Sequence, residues 1–326
     1  MKAIVFDQPG DESVLRIGDV PPPVLDRGEL RLRVFATALN RADLLQRQGK
    51  YPPPPGASEI LGLECAGEVI EVGAGVCGWQ LGDRAMALLA GGGYAEEAVV
   101  AAGCAMPIPA LMPFEEAAAF PEAFLTVFLT IFRLAGLRAG GSVLVHGGGS
   151  GIGTAAITLV KTVGGTVVVT AGSDDKCVRC LGLGANLAVN YRTGDFVAAA
   201  HEVTGGRGVD VVLDSIGAPY LERNLAALVT GGKLVLIALM GGGTAEINLR
   251  ELLSLRLSIV GSTLRSRSLE EKIGLVAAFL DRFGELLDAY RLRPVIDRVL
   301  PLEQAAEAHR LMAASAHFGK IVLRVP

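Results

Sequence analysis

Cysteine is scarce and irregularly placed. Five residues, Cys65, Cys77, Cys104, Cys177 and Cys180, make an odd number with no repeating spacing, which is poor material for a disulfide framework. No apolar run approaches the roughly 18 residues of a membrane-spanning helix; the longest, 123–132, is preceded by Glu122 and closed by Arg133. The opening Met1-Lys2-Ala3-Ile4-Val5-Phe6-Asp7 has too short an apolar segment for a secretion signal. Lys/Arg blocks are missing, and 30 basic against 34 acidic residues leave a formal net charge of −4, which argues against a dedicated nucleic-acid binder. The four histidines, His146, His201, His309 and His317, form no pattern with a nucleophile and an acid, so no hydrolytic triad is read. A soluble, cytoplasmic protein is expected.

Glycine, by contrast, is abundant at 42 of 326 residues, well above the background of about 7%. Such an excess implies tight turns or places where backbone approaches something closely. Hydrophobic residues at 51% against 20% charged exclude a disordered chain. The length calls for about two domains.

The two halves differ in pattern. Residues 2–6 and 30–35 are short strand-like runs, the second alternating Leu30, Leu32 and Val34 with Arg31 and Arg33. Proline runs at 21–23 and 52–55 are stiff loops, and 40–48 reads as a short helix that Asn40 could cap. A β-rich domain is expected there. From 115 to 134 the chain reads as an apolar helix broken at Pro121, and after Gly140-Gly141 strands and helices alternate. Strands are expected at 143–146, 167–170, 187–189, 210–213, 234–238 and 257–261, with helices at about 152–163, 174–181, 195–202, 220–228 and 248–254. Continuous Val/Leu/Ile strands with crossover helices describe an α/β, six-stranded doubly wound sheet. Helices at 269–289 and 302–314 and a strand at 320–325 close the chain.

The strongest motif is Val143-Leu144-Val145-His146-Gly147-Gly148-Gly149-Ser150-Gly151-Ile152-Gly153, an apolar strand entering a glycine loop that opens a helix. Glycines allow backbone N–H groups to reach a pyrophosphate, whose charge the helix N-terminus favours. A ribose 2′-hydroxyl is usually gripped by an acid about 20 residues further on, a 2′-phosphate by a cation. Here Thr170-Ala171-Gly172-Ser173 offers no acid, and Lys176 follows one helical step later, so NADP(H) is expected over NAD(H). Asp174 and Asp175 suit a helix start.

Several further segments carry a family resemblance: Ala38-Leu39-Asn40-Arg41-Ala42-Asp43-Leu44, Gln46-Arg47-Gln48-Gly49-Lys50-Tyr51, Leu61-Gly62-Leu63-Glu64, Leu239-Met240-Gly241-Gly242-Gly243, Leu264-Arg265-Ser266-Arg267 and Gly319-Lys320-Ile321-Val322-Leu323. With the glycine loop they span the chain. It resembles the quinone oxidoreductase branch of the medium-chain dehydrogenases/reductases, most of all its tumour-suppressor-inducible members. The resemblance implies a Rossmann cofactor domain at 123–265 and a GroES-like substrate domain at 1–122 plus 266–326. It implies a homodimer through the edge strand at 257–261. The zinc-dependent relatives hold their metal with a Cys and a His at the places matching Asn40 and Leu63. An amide and a leucine cannot replace those ligands, so no metal is expected. Cys177 and Cys180 have metal-like spacing but no second pair, and read as neutral helix cysteines.

By resemblance, Asn40 and Tyr51 face nicotinamide and substrate, Asn40 as hydrogen-bond donor or orienter and Tyr51 as donor or proton source. Arg41, Leu44 and Thr126 match positions lining the nicotinamide, Ser150, Gly151 and Ile152 the pyrophosphate, and Gly172, Ser173, Lys176 and Tyr191 the adenosine phosphate. Ser215, Leu239, Met240 and Gly241 match positions beyond strand ends, and Leu264, Arg265 and Lys320 further nicotinamide contacts. Plainer readings stand beside these: Asn40 as a cap, Tyr51 as a packing aromatic, Met240 as core filler, Arg265 and Lys320 as solvated surface. Without a Lewis acid the acceptor must be intrinsically electrophilic. The expected activity is therefore NADPH-dependent reduction of a quinone, with reduction of an enoyl thioester or alkenal as the alternative. A low-turnover NADPH-binding protein, like the lens crystallins of this family, is the third reading.

Overall fold

The computed structural model describes residues 1–326. Seven strands occupy the first third: β1 (Lys2–Val5), β2 (Arg16–Asp19), β3 (Glu29–Ala38), β4 (Glu64–Val72), β5 (Arg84–Leu88), β6 (Glu97–Ala101) and β7 (Ala105–Pro107). Six follow in the middle: β8 (Ser142–His146), β9 (Thr166–Ala171), β10 (Leu187–Asn190), β11 (Val209–Asp214), β12 (Leu228–Leu236) and β13 (Ser258–Gly261). The last two are β14 (Ile296–Pro301) and β15 (Lys320–Arg324). The α-helices are α1 (Arg41–Arg47), α2 (Phe114–Ala118), α3 (Pro121–Val127), α4 (Gly151–Thr162), α5 (Asp174–Gly182), α6 (Phe196–Val203), α7 (Leu221–Ala226), α8 (Leu249–Ser254), α9 (Leu269–Asp288) and α10 (Ala305–Ala313). They fall into two units, Met1–Leu125 with Leu264–Pro326, and Thr126–Thr263.

The first unit is built on a seven-stranded sheet of order β14-β15-β3-β4-β5-β7, with β6 also paired to β3, and on the separate β1–β2 pair. The alternation along β3 has its expected consequence: Leu30, Leu32 and Val34 are buried in the core while Arg31 and Arg33 point outward. Chain ends meet here, because the C-terminal β15 lies antiparallel to β3, pairing Val322 with Ala38. That pairing brings Lys320 toward the start of α1.

The second unit is a parallel sheet of order β10-β9-β8-β11-β12-β13. Counting its strands from one gives 3-2-1-4-5-6, the doubly wound order whose ligands bind beyond the carboxyl ends of the strands, where the order reverses between β8 and β11. Every residue of β8 is buried, as a strand covered on both faces requires.

Two segments differ from the sequence reading. β12 starts at Leu228, well before 234, because Gly231 adopts a φ of +82° and the β11–β12 register shifts between Val209 and Val211; the glycine pair bends a strand where a turn was read. The helix expected over 115–134 breaks at Pro121 as expected but does not stay α-helical to its end. Pro121 opens α3, and Phe128–Leu134 winds more loosely as a π-helix, with Ala135 N–H donating to Thr130 O (2.9 Å). The Thr130 hydroxyl takes the Thr126 carbonyl at 2.7 Å, competing for an α-helical acceptor.

Candidate active site and cofactor cradle

In the first unit the chemistry centres on a buried ion pair. Lys320 Nζ donates to Glu64 Oε1 (2.6 Å), Asn40 Oδ1 (2.7 Å) and the Leu39 carbonyl (2.7 Å), so all three ammonium donors are used. Asn40 Nδ2 donates to the same Glu64 oxygen at 2.9 Å and to Ala38 O at 3.3 Å. The other Glu64 oxygen accepts the Glu122 N–H at 2.8 Å. Glu64 is fully buried and Lys320 nearly so. Taking both charges out of water is costly, and this density of hydrogen bonds is what such a pair needs to persist.

Asn40 also begins α1, and its N–H is held at 2.7 Å by Asp43 Oδ2. Asp43 Oδ1 accepts from Gly62 N–H at 3.1 Å. Gly62 has a φ of +104°, and a Cβ there would lie 2.6 Å from Gly93 Cα, so only glycine fits. Burial pushes the Asp43 carboxyl up to about 6, against the pull of its two backbone donors. Behind it Tyr94 OH lies between Asp43 (3.4 Å) and His309 Nε2 (3.3 Å), and His309 Nδ1 is 3.3 Å from Arg47.

Arg265 is buried. Its guanidinium donates to Ala90 O (2.8 Å), Gln46 Oε1 (2.6 Å) and Tyr51 O (3.4 Å), and lies 5.5 Å from the Tyr51 ring centre. Burial raises the Tyr51 phenol above its ordinary value, with the Arg265 charge working against it. Asn40, Tyr51, Arg265 and Lys320 are thus each fixed by hydrogen bonding or ring contact within one unit. Arg265 and Lys320 are not solvated surface. Arg41 is half-buried, whereas Leu44 packs into the apolar core and Leu264 is also buried.

In the second unit nearly all the expected residues lie just beyond strand ends. Ser150, Gly151 and Ile152 follow β8; Gly172, Ser173 and Lys176 follow β9; Tyr191 follows β10; Ser215 follows β11; Leu239, Met240 and Gly241 follow β12. Thr126, on α3, stands apart from them. Two backbone bonds join the last two loops, Met240 N to Ser215 O (3.1 Å) and Gly241 N to Ile216 O (2.7 Å). Met240 is exposed, not core. Ser150 caps α4 by accepting from Gly153 N (3.0 Å), and Ser173 caps α5 by accepting from Lys176 N (3.3 Å). Below the glycine loop, His146 Nε2 contacts Asn224 Oδ1 at 2.7 Å, and Asn224 donates to Asp214 at 2.9 Å. Burial holds His146 down near 4, so its ring is neutral. The ring then donates through Nε2 and accepts from the Thr170 hydroxyl through Nδ1, and that hydroxyl oxygen receives the Gly147 N–H at 3.4 Å.

The packing of the loop against its own strand and helix requires glycine. A Cβ on Gly153 would sit 2.3 Å from Gly147 O, and one on Gly148 would sit 2.6 Å from the Val169 side chain. A side chain on Gly172 would lie 2.8 Å from the Tyr191 hydroxyl. With the capped N-terminus of the twelve-residue α4, this arrangement fits a dinucleotide pyrophosphate. No group of three or more His, Cys, Asp or Glu side chains is placed to hold a metal ion.

An alcohol dehydrogenase GroES-like domain model matches residues 26–110, and a zinc-binding dehydrogenase model matches 183–323. Rat quinone oxidoreductase is 31% identical over 99% of this chain and 97% of its own length. The chain belongs to the quinone oxidoreductase group of the medium-chain dehydrogenases/reductases. Within this family it is also 32% identical to a Mycobacterium tuberculosis phenolphthiocerol/phthiocerol polyketide synthase subunit, over 98% of this chain but only 15% of that protein. Among solved structures, Escherichia coli quinone oxidoreductase complexed with NADPH superposes with a TM-score of 0.86 at 29% identity, covering 99% of this chain and 100% of that one. CurK enoyl reductase gives 0.87 at 27% identity, covering 100% and 99%.

Sequence reasoning did not find Glu64, Glu122 or Asp43 as a buried acidic group around Asn40. One signal was available: Glu64 and Glu122 each interrupt an otherwise apolar segment, and a charge there is either an error of pattern or a partner to something.

Proposed function

We propose that the protein is an NADPH-dependent, zinc-free oxidoreductase that reduces quinones. The observation that carries this reading is the Lys320–Glu64–Asn40 cluster. It holds a neutral amide rigidly on a buried charged base, in the family position where zinc relatives carry a ligand. The ammonium at 2.6–2.7 Å from Glu64 and Asn40 already supplies the local positive charge. Leu63 brings no lone pair, so the donor set does not suit Zn²⁺.

Residues 126–263 serve as the cofactor domain, with Ser150, Gly151 and Ile152 at the pyrophosphate and Ser173, Lys176 and Tyr191 at the adenosine phosphate. Bound there, NADPH supplies a hydride. The chain's own contribution is to orient the acceptor beside the Asn40 amide, which the Lys320–Glu64 pair fixes in place, and to offer the Tyr51 phenol, whose O–H stabilises the oxyanion that develops on reduction. Arg265 fixes the Tyr51 backbone and its charge faces the ring. The protein acts in the cytoplasm as a homodimer through β13: this edge strand is short, Ile259 on it is exposed, and exposed Leu249 and Leu253 stand nearby on α8.

Reduction of an enoyl thioester is the second reading, supported by the likeness to CurK enoyl reductase. Chelator-treated protein is assayed for NADPH oxidation with 1,2-naphthoquinone and with a crotonyl thioester. Quinone-dependent turnover that survives Tyr51→Phe with a small loss supports the quinone reading. Turnover with the thioester alone, lost in Tyr51→Phe, replaces it with the second. Tight NADPH binding with neither turnover leaves a binding protein.

A further inference from the structure

Glu122 is an acid of the Asn40 cluster that makes no ion pair and, unlike Asp43, has a carboxyl oxygen with no hydrogen-bond partner. It sits in the first turn of α3, behind Pro121, and its backbone N–H is spent on Glu64. Its own Oε2 is enclosed and has no hydrogen-bond partner. The charged and titratable groups that face it come from every neighbouring element: Glu64 on β4, Asp43 on α1, Lys320 on β15, Lys272 on α9, and Tyr51 and Arg265 from loops. None of the cations among them forms an ion pair with Glu122. Lys320 uses its three donors on Glu64, Asn40 and Leu39, and Lys272 gives its ammonium to the Arg265 carbonyl at 2.7 Å. Arg265 is bound to Gln46, Ala90 and Tyr51. A carboxylate at Glu122 would therefore be a second anion beside Glu64 with no direct partner, offset only in part by the charges of Lys320 and Lys272.

We propose that Glu122 is the proton donor of the reaction, holding on its carboxyl the proton that reduction of the acceptor consumes. This rests on the reductase reading above. Hydride addition leaves an anion on the acceptor, a hydroquinone monoanion or an enolate. The Glu122 O–H bond breaks as the new O–H or C–H bond forms, and water returns a proton to the carboxylate. Electrons and protons balance without another reactant. Burial, and after it the Glu64 charge, pushes the Glu122 carboxyl up to about 8, so it is protonated at neutral pH. It is still a stronger acid than the Tyr51 phenol, which burial raises above 10, and the better donor of the two near neutrality.

The test compares wild type with Glu122→Gln, which keeps the shape and the neutral charge of the protonated acid. Infrared difference spectra of the free protein between pH 6 and 10 should show a protonated carboxyl disappearing with a midpoint near 8, absent from the variant. With 1,2-naphthoquinone, kcat of the wild type should fall as pH rises through the same value. The variant should lose about tenfold or more in kcat and lose that limb, while NADPH affinity, and the thermal midpoint at pH 5 where both side chains are neutral in the folded state, stay close to wild type. A variant within about threefold of wild type with the same limb overturns the donor role, as does a wild-type spectrum with no such carboxyl. Wild type inactive with both the quinone and the crotonyl thioester overturns the reductase reading instead.

Discussion

Removing the ammonium from the Asn40 cluster is the sharpest test of what holds it together. Lys320→Met keeps most of the side-chain volume and deletes the charge that lies 2.6 Å from Glu64 in a site with almost no solvent. At an effective dielectric near 20, the lost attraction amounts to about 6 kcal/mol. Glu64 has an escape, however, because it can take up a proton. For a carboxyl that ordinarily ionises near 4.3, protonation costs about 1.4 kcal/mol per pH unit, or roughly 3.7 kcal/mol at pH 7. The smaller number sets the outcome. Lys320→Met should lose roughly 3–4 kcal/mol at pH 7 but only about 1 kcal/mol at pH 5. The direction follows from linkage: in the variant the proton binds the folded state more tightly, so stability is lost as pH rises. Urea unfolding read by the single tryptophan isolates the right part of the molecule, because Trp79 packs against the core of the first unit. Glu64→Gln combined with Lys320→Met removes both charges and should recover most of the loss. A Lys320→Met penalty below about 1 kcal/mol at pH 8, or one independent of pH, would refute the reasoning.

Three further outcomes follow from the same geometry. Gly153→Ala forces a Cβ to within 2.3 Å of Gly147 O and should weaken NADPH binding at least tenfold by fluorescence titration, leaving the Trp79 unfolding transition in place; unchanged affinity would remove the loop from the cofactor site. Lys176→Ala should cost about 1.4 kcal/mol, a factor of ten, in NADPH affinity and little for NADH; an equal loss for both would show that the lysine does not read the 2′-phosphate. Glu122 binds its proton more tightly in the folded state, near 8 against an ordinary 4.5. Its stabilising contribution is full below 4.5 and lost as pH climbs through 8. Glu122→Gln should therefore gain on wild type across that window by an amount on the order of 3–5 kcal/mol, measured by denaturation at pH 5, 7 and 9.

Local pattern was enough wherever neighbours in the chain decide the structure. The 143–153 stretch announces strand, tight turn and helix start by itself, since glycine freedom, helix capping and apolar continuity are short-range properties. Leu30, Leu32 and Val34 faced inward as their alternation required. The π-helical stretch at Phe128–Leu134 and the early start of β12 were missed for the converse reason. Thr130 takes a carbonyl that an α-helix would use, and Gly231 bends within a sheet whose partner strand the local sequence does not reveal.

Charge is where sequence and fold part company. Composition and spacing alone establish an α/β chain with a dinucleotide loop, no acid after the second cofactor strand, and neither a cysteine at 40 nor a histidine at 63. Whether Lys320 is surface or core depends on β15 pairing with β3, which brings together residues 256 positions apart at Glu64 and Lys320. The same folding turns Asn40 from a simple helix start into an amide gripped by a buried ion pair, and leaves Glu122 as an acid without an ion pair. The energy of a charge depends on its solvent and its partners. Both are properties of the folded chain, so only the tertiary structure could assign them.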